Sequence, residues 1–432
     1  MMNDNFQTFY WSKLDNVAKL YALVSSSKAT NVFRLSVKMK ESVQPEFLLE
    51  AVKAALVEMP SFNVRLRSGF FWYYFDMNLQ KPRIRKEYTY PCSKITRFTN
   101  NNYLFSLTYY EKMIHLEVFH ALADGSGATQ FLKVILYHYV KRLNPELMTE
   151  PIVLGEQGPS SFAMNEDSFL KVKSDAQSKV IPQTTVAYKI TGIKKRPQEL
   201  KVIHGIMSAK QVIKVAKQYK VTVSALVCAI LIESIYKQNY QFNQDHHPIT
   251  VTVPIDLRGR FGSHTLRNFF SNINVSITPT ADLTFETLLN EVSKQLDEGQ
   301  KPEVVDRKIN DNVSAQKNMM IRFVPLTIKN MVMRHIYHEA DKGVTTTVSN
   351  LGRLTFPKSV DPYIEEVRVM IPVTPHQPIR CGVISCHDQF VLTFTSSLEE
   401  TDIQRYFFRF LKKYGIEITI SCNEEFNHEI LS

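Results

Sequence analysis

With 432 residues and a mass of 49.9 kDa, the chain is long enough for about two to four ordinary domains or one large two-lobed body. Hydrophobic residues at 44% and charged residues at 22% exclude a disordered or fibrous chain, and 14 Gly with 19 Pro exclude a collagen-like one. The 52 Lys and Arg against 42 Asp and Glu leave a net charge of +10, which suits an anionic partner without choosing among nucleic acid, membrane and a phosphorylated small molecule.

The opening MMNDNFQTFYWSKLD has neither a basic segment nor an apolar one, so no signal peptide is expected. The most apolar run, Ala225 to Ile232, is far shorter than the roughly 20 residues a membrane span needs, so no stable membrane insertion is expected. The five cysteines (92, 228, 381, 386 and 422) are odd in number and match no zinc or disulfide spacing. A reduced, cytoplasmic protein without a metal is the expectation.

In chain order, residues 31–40 alternate apolar and polar and predict a strand. Pro45 opens a helix that Pro60 stops. Residues 62–67 and 70–75 predict two strands around Ser68-Gly69, and 103–110 and 113–119 a second hairpin around Glu111-Lys112. A helix over 126–142 follows Gly125. Residues 143–187, rich in Ser, Gln and Pro, read as a linker.

A new pattern then begins: a strand over 200–206, a helix over 209–218 capped by Ser208, and a more apolar helix over 222–238. Strands over 249–254 and 272–278 flank a polar stretch, and a helix over 285–296 follows. Further strands are predicted at 345–349, 366–371, 380–385 and 390–395. Ser397 and Glu400 have capping-box spacing before a last helix over 401–414. Both halves mix strands and helices without regular βαβ alternation, which predicts an α+β fold of two lobes, 1–165 and 166–432, joined by the 143–187 linker.

One cluster carries chemistry: His120-Ala-Leu-Ala-Asp124-Gly125, or HxxxDG, between a predicted strand and a predicted helix. A histidine at a strand end can face a cavity, and its ordinary pKa near 6.5 suits general-base work. The same residues fit a strand-end His beside an N-capping Asp.

HALADG resembles the HHxxxDG signature of the condensation-domain and CoA-dependent acyltransferase superfamily. Three segments agree with it in order: Leu14-Asp15-Asn16-Val17-Ala18-Lys19 is similar to the opening of bacterial alcohol acetyltransferase-like proteins, Val253 to Arg258 (VPIDLR) to the PVxLR strand, and Val348 to Gly352 (VSNLG) to the SNLG segment. Phe119 stands where many relatives have a first histidine, a departure that weakens a condensation-domain reading more than an acyltransferase one.

The resemblance implies two chloramphenicol acetyltransferase-like lobes in a V-shaped body with a central tunnel, with crossover segments of the second lobe packing on the first. It implies His120 as the general base, with acyl-CoA as co-substrate and a small-molecule alcohol or amine as acceptor. Asp124 and Arg258 become a structural pair, although Arg258 also fits an exposed loop. Gly125, Ser126, Ser349 and Asn350 become candidate oxyanion or substrate contacts, although Ser349-Asn350 also fits a strand ending in a turn. An amide-forming enzyme served by an acyl carrier protein in trans, or a non-catalytic binding protein, would use the same scaffold. The basic clusters 81–86 and 194–196 are expected to be solvated loops, with a weaker reading as contacts for CoA phosphates. A nucleic-acid partner is not expected, because the aromatics do not interleave with them.

Overall fold

The computed structural model describes residues 11–147, 161–172, 185–243, 245–317 and 324–423. The elements run β1 (Trp11–Lys13), α1 (Asn16–Val24), β2 (Val32–Met39), α2 (Pro45–Glu58), β3 (Val64–Ser68), β4 (Tyr73–Met77), β5 (Ile84–Lys86), β6 (Phe105–Tyr110), β7 (Met113–Phe119), α3 (Gly125–Leu143) and α4 (Ser161–Asn165). They continue with β8 (Lys201–Ser208), α5 (Ala209–Gln218), α6 (Val223–Gln238), β9 (Ile249–Asp256), α7 (Arg258–Phe261), β10 (Phe270–Ile277), α8 (Phe285–Gly299), α9 (Pro302–Lys317) and α10 (Leu326–Lys342). The last are β11 (Thr346–Arg353), β12 (Ile364–Met370), β13 (Ile379–Cys386), β14 (Gln389–Ser396), α11 (Asp402–Lys413) and β15 (Ile418–Cys422).

Local chemistry accounts for many of these boundaries. Asp15, Asp124, Ser208 and Thr222 each accept a backbone N–H with the side chain, capping α1, α3, α5 and α6. Glu111, at φ 49°, makes the tight turn between β6 and β7. The stretch expected as a linker contains α4 and a 3-10 turn at Ser168–Lys171; residues 148–160 and 173–184 of it lie outside the described residues.

A five-stranded sheet has the order β12-β2-β7-β6-β5, and α2 and α3 share its core through Leu48, Val52, Phe131 and Ile135. A seven-stranded sheet has the order β10-β9-β11-β13-β14-β8-β15 and packs around α6, whose residues Ala225 to Ile232 are all buried. A third sheet, β1-β4-β3, is small. Strand β12 lies late in the sequence, yet it pairs antiparallel with β2, Val367 opposite Val37. Between antiparallel β9 and β10, residues 257–269 make an excursion that reaches the start of α3.

Three expectations change. Ser397 and Glu400 form no capping box, because the Glu400 carboxylate accepts the Ile193 N–H and Thr401 is the cap residue, without a side-chain bond. The strand expected over 70–75 begins only at Tyr73, because residues 69–72 form the hairpin turn closed by Gly69 N–H to Trp72 O. Helices α9 and α10 were not expected. The first has a polar sequence; the second has apolar residues on two faces, which blurs a 3.6-residue period.

Candidate active site around His120

Strand β7 ends at Phe119, opposite Val32 of β2, and His120 is the next residue. Its backbone N–H donates to Asn31 O at 2.8 Å. Asn31 is itself in the left-handed region, at φ 53°, and donates its side-chain amide to Ala29 O. The chain then turns through residues 121–124 into α3.

The imidazole sits in an aromatic enclosure. Tyr21 of α1 stacks on it with centroids 4.4 Å apart, Phe33 meets it edge-on at 5.1 Å, and Phe270 lies at 5.7 Å. Nδ1 lies 3.0 Å from Asn268 Oδ1. Because an amide oxygen only accepts, Nδ1 carries the proton and Nε2 keeps its lone pair. Burial pulls the imidazole below its ordinary pKa, while the Asp124 carboxylate and the Asn268 bond act in the opposite direction.

Asn268 is oriented in turn. Its Nδ2 donates towards both carboxylate oxygens of Asp15, at 3.5 and 3.3 Å. Asp15 is fully buried at the start of α1, accepts the Ala18 N–H at 2.7 Å, and burial pushes its carboxyl up to about 6. Asp15, Asn268 and His120 therefore form a chain of contacts from the cap of α1 to the imidazole.

Asp124 and Arg258 fix the frame. Arg258 Nη2 donates to both oxygens of Asp124, each at 2.8 Å, and Asp124 also accepts Gly127 N–H at 3.0 Å and Phe269 N–H at 2.9 Å. Arg258 further donates to Thr265 O, Arg267 O and Asp256. These bonds tie down the backbone on both sides of Asn268. Gly127 is required by the same close approach, since a Cβ there would lie 2.0 Å from Leu266 O. Arg258 itself opens the single turn α7, which Gly262 closes at φ 60°.

The other expected contacts are more dispersed. Gly125 and Ser126 begin α3, but the Ser126 hydroxyl donates to Asp256 at 2.7 Å. Ser349 and Asn350 lie in β11, paired with Gly382 and Val383 of β13. The Asn350 amide donates to Ser224 Oγ, and its oxygen accepts the Gly352 N–H. The next residue, Leu351, packs so closely on Gly125 that a Cβ would lie 2.5 Å from its side chain. A cavity of about 530 Å³ opens beside this contact, lined by Gly125, Ser126, Lys133, Arg258, His264 and Arg353.

Asn268, Asp15 and Tyr21 are site residues that the motif pattern did not single out. Asp15 lies in a quoted segment, but its distance of 253 residues from Asn268 leaves no local signal. Phe119 packs against the small core of Leu14, Ala18 and Ala121. His115 lies within the sheet interior, with Ser36 Oγ 2.8 Å from Nδ1 and Glu87 near Nε2. Of the basic clusters, Lys195 pairs with Glu399 and Arg85 donates to Thr99 O. Among the described residues, Asp361, Cys386 and His387 are grouped closely enough to hold a metal ion, but both ring nitrogens of His387 already face partners within the group.

No family model and no curated protein matches the sequence. Solved structures do match, over nearly the whole chain. TRI101 from F. graminearum, complexed with ethyl coenzyme A, has a TM-score of 0.63 at 13% identity, covering 92% of this chain and 96% of that one. The TRI3 trichothecene 15-O-acetyltransferase of Fusarium sporotrichioides has a TM-score of 0.59 at 10% identity, with 94% of each chain covered. The starter condensation domain of rhizomide synthetase RzmA, in complex with C8-CoA and Leu-SNAC, has a TM-score of 0.58 at 11% identity, with 94% of each covered. The chain thus shares the two-lobed α+β fold of these solved structures.

Proposed function

We propose that the protein is an acyltransferase that moves an acyl group from acyl-CoA to the hydroxyl of a small-molecule acceptor, with His120 as general base. The observation that carries this reading is the 3.0 Å contact of His120 Nδ1 with Asn268, which leaves Nε2 as a proton acceptor within an acyltransferase fold. The depressed pKa of the ring keeps it neutral near pH 7.

Nε2 takes the acceptor's hydroxyl proton as the oxygen attacks the thioester carbonyl. The tetrahedral intermediate collapses with breakage of the C–S bond, and the imidazolium returns the proton to the leaving thiolate. Ester and free thiol are the products, and no acyl-enzyme is needed. Backbone amides at the start of α3 suit the developing oxyanion. The cavity beside Gly125, with Lys133, His264 and Arg353, suits a phosphorylated donor. Asp124 and Arg258 have a positioning role.

The test is product analysis by mass spectrometry with a mixed panel of acyl-CoA donors and alcohol or amine acceptors, alongside thiol release. His120→Ala should lower turnover by about 10²–10⁴-fold. Unchanged turnover would remove His120 from the role. The similarity to a condensation domain supports one second reading, an amide-forming enzyme served by a carrier protein; turnover only with an acylated carrier protein would favour it.

A further inference from the structure

Strands β11 and β13 run parallel, and β13 carries an arginine that the chemistry at His120 does not use. Arg380, near the start of β13, is half-buried. Its Nε donates to Gln377 Oε1 at 2.9 Å and its Nη1 to Pro372 O at 2.9 Å. Gln377 is itself fixed: its oxygen also accepts the Thr347 hydroxyl at 2.7 Å, and its Nε2 donates to buried Asp341 at 2.6 Å. The Tyr337 hydroxyl is a further acceptor for the guanidinium. All of these partners are neutral oxygens. The Asp341 carboxylate is taken by Gln377 and Thr374, and among the described residues no carboxylate lies within ion-pair distance of Arg380.

This cation stands near the imidazole. Strand β12 ends with Met370 opposite Arg34 of β2, while β2 begins with Val32 opposite Phe119 of β7. Pro372, just past the end of β12, is therefore level with Val32 and Phe119, two strand spacings (roughly 10 Å) from the strand that His120 follows. Burial pulls the His120 pKa down and pushes that of Tyr21 up, and the positive charge of Arg380 lowers both. Tyr337 in turn acts on Tyr21, the ring stacked on His120. His120, Tyr21, Tyr337 and Arg380 all keep part of their surface accessible. Leu351 of β11 lines the cavity beside Gly125, whereas Thr347, bonded to the glutamine that holds Arg380, lies about 13 Å back along the same strand. Arg380 thus flanks His120 on the side away from that cavity.

A half-buried guanidinium without a counter-ion is completed by an anion. One cation flanked by phenols suits the single charge of a carboxylate better than the roughly double charge of a phosphate ester. We propose that the acceptor is a hydroxy carboxylic acid, whose carboxylate pairs with Arg380 and so presents the hydroxyl to Nε2 of His120. The inference rests on the acyl-transfer reading for the role of acceptor and adds its chemical class.

The test uses the full chain with acyl-CoA and a series of ω-hydroxy carboxylic acids of increasing length, each beside its methyl ester. The best acid should exceed its ester by about 10–100-fold in kcat/KM, with the difference lying in KM. Arg380→Gln should abolish that ratio, and Arg380→Lys, which keeps the charge, should retain part of it. A purely structural Arg380 would lower acid and ester alike with the ratio intact; that outcome overturns the proposal, as does a parent protein that uses every ester as well as its acid. Calorimetry of the acids with coenzyme A in place of acyl-CoA reads the contact without chemistry: the best acid should bind, and Arg380→Gln, checked by circular dichroism, should weaken it by a similar factor. Such binding without any transfer would refute acyl transfer and still establish the carboxylate site, whereas transfer without a preference for acids would do the reverse. Neither transfer nor binding of any acid would overturn both.

Discussion

Asn268 presents its side-chain oxygen to Nδ1 of His120 across 148 residues of sequence, and it does so from a segment bolted to the start of α3. The same bond that orients the ring also selects its tautomer. Replacing Asn268 with Ala should lower kcat by about 10–100-fold with little change in KM, a magnitude typical of groups that orient a reacting ligand. Since the Asn268 bond raises the His120 pKa, its removal should move the acidic limb of the kcat/KM profile to lower pH. Asn268→Asp should move that limb the other way. Unmoved pH profiles in both variants would reduce Asn268 to packing.

The Asp124–Arg258 pair is largely buried, so removing one partner strands a charge. Arg258→Ala should destabilise the protein by about 3–5 kcal/mol in thermal or denaturant unfolding. The double variant Asp124→Asn with Arg258→Met should recover part of that loss. Stability equal to that of the parent in Arg258→Ala would contradict a structural role for the pair.

Gly127→Ala drives a Cβ into the Leu266 carbonyl and should destabilise by about 1–3 kcal/mol while lowering activity through Asn268. Gly259→Ala is the control, because a Cβ there meets nothing within 4 Å. Equal melting shifts in the two variants would argue against the close approach.

Asp15 is a buried acid whose folded pKa, about 6, lies above its ordinary 3.8. The folded state therefore holds the proton more tightly, and stability falls as pH rises from 3.8 to 6. Above pH 6 the cost is about 3 kcal/mol at 1.36 kcal/mol per pKa unit. Asp15→Asn should melt higher than the parent at pH 7, with the advantage shrinking below pH 6 and vanishing near pH 4 (the ordinary carboxylate range). An advantage independent of pH would refute the assignment.

Two buried histidines act with the opposite sign. Burial lowers the pKa of both His115 and His204, and the basic Arg34 and Arg368 add to it. Each group is neutral in the fold, so stability is lost as pH falls below 6.5, where the unfolded chain takes up the proton. His204→Gln should flatten the fall in melting temperature below that pH; an unchanged slope would exonerate His204.

Much of this frame was legible in the chain itself. The alternation over 113–119, the HALADG turn and the long apolar period after it define a strand, a site and a helix by local rules alone. The pairing of Asp124 with Arg258 is legible only through a family likeness, since 134 residues separate them. Asn268 and Asp15 are not legible as site residues, because the contact that joins them spans 253 residues and is made by tertiary structure. Helix α10 was hidden for a different reason: its second apolar face serves no core, so its pattern does not separate inside from outside.

The pairing of β12 with β2 also bears on how the chain must assemble. While only the residues up to the end of α3 have emerged from the ribosome, the sheet β2-β7-β6-β5 has an unpaired edge at β2, and that edge stays open until residue 370 emerges. Severing the chain between α3 and β8 should therefore yield a first fragment prone to edge-to-edge association, rescued when the second fragment is supplied during synthesis.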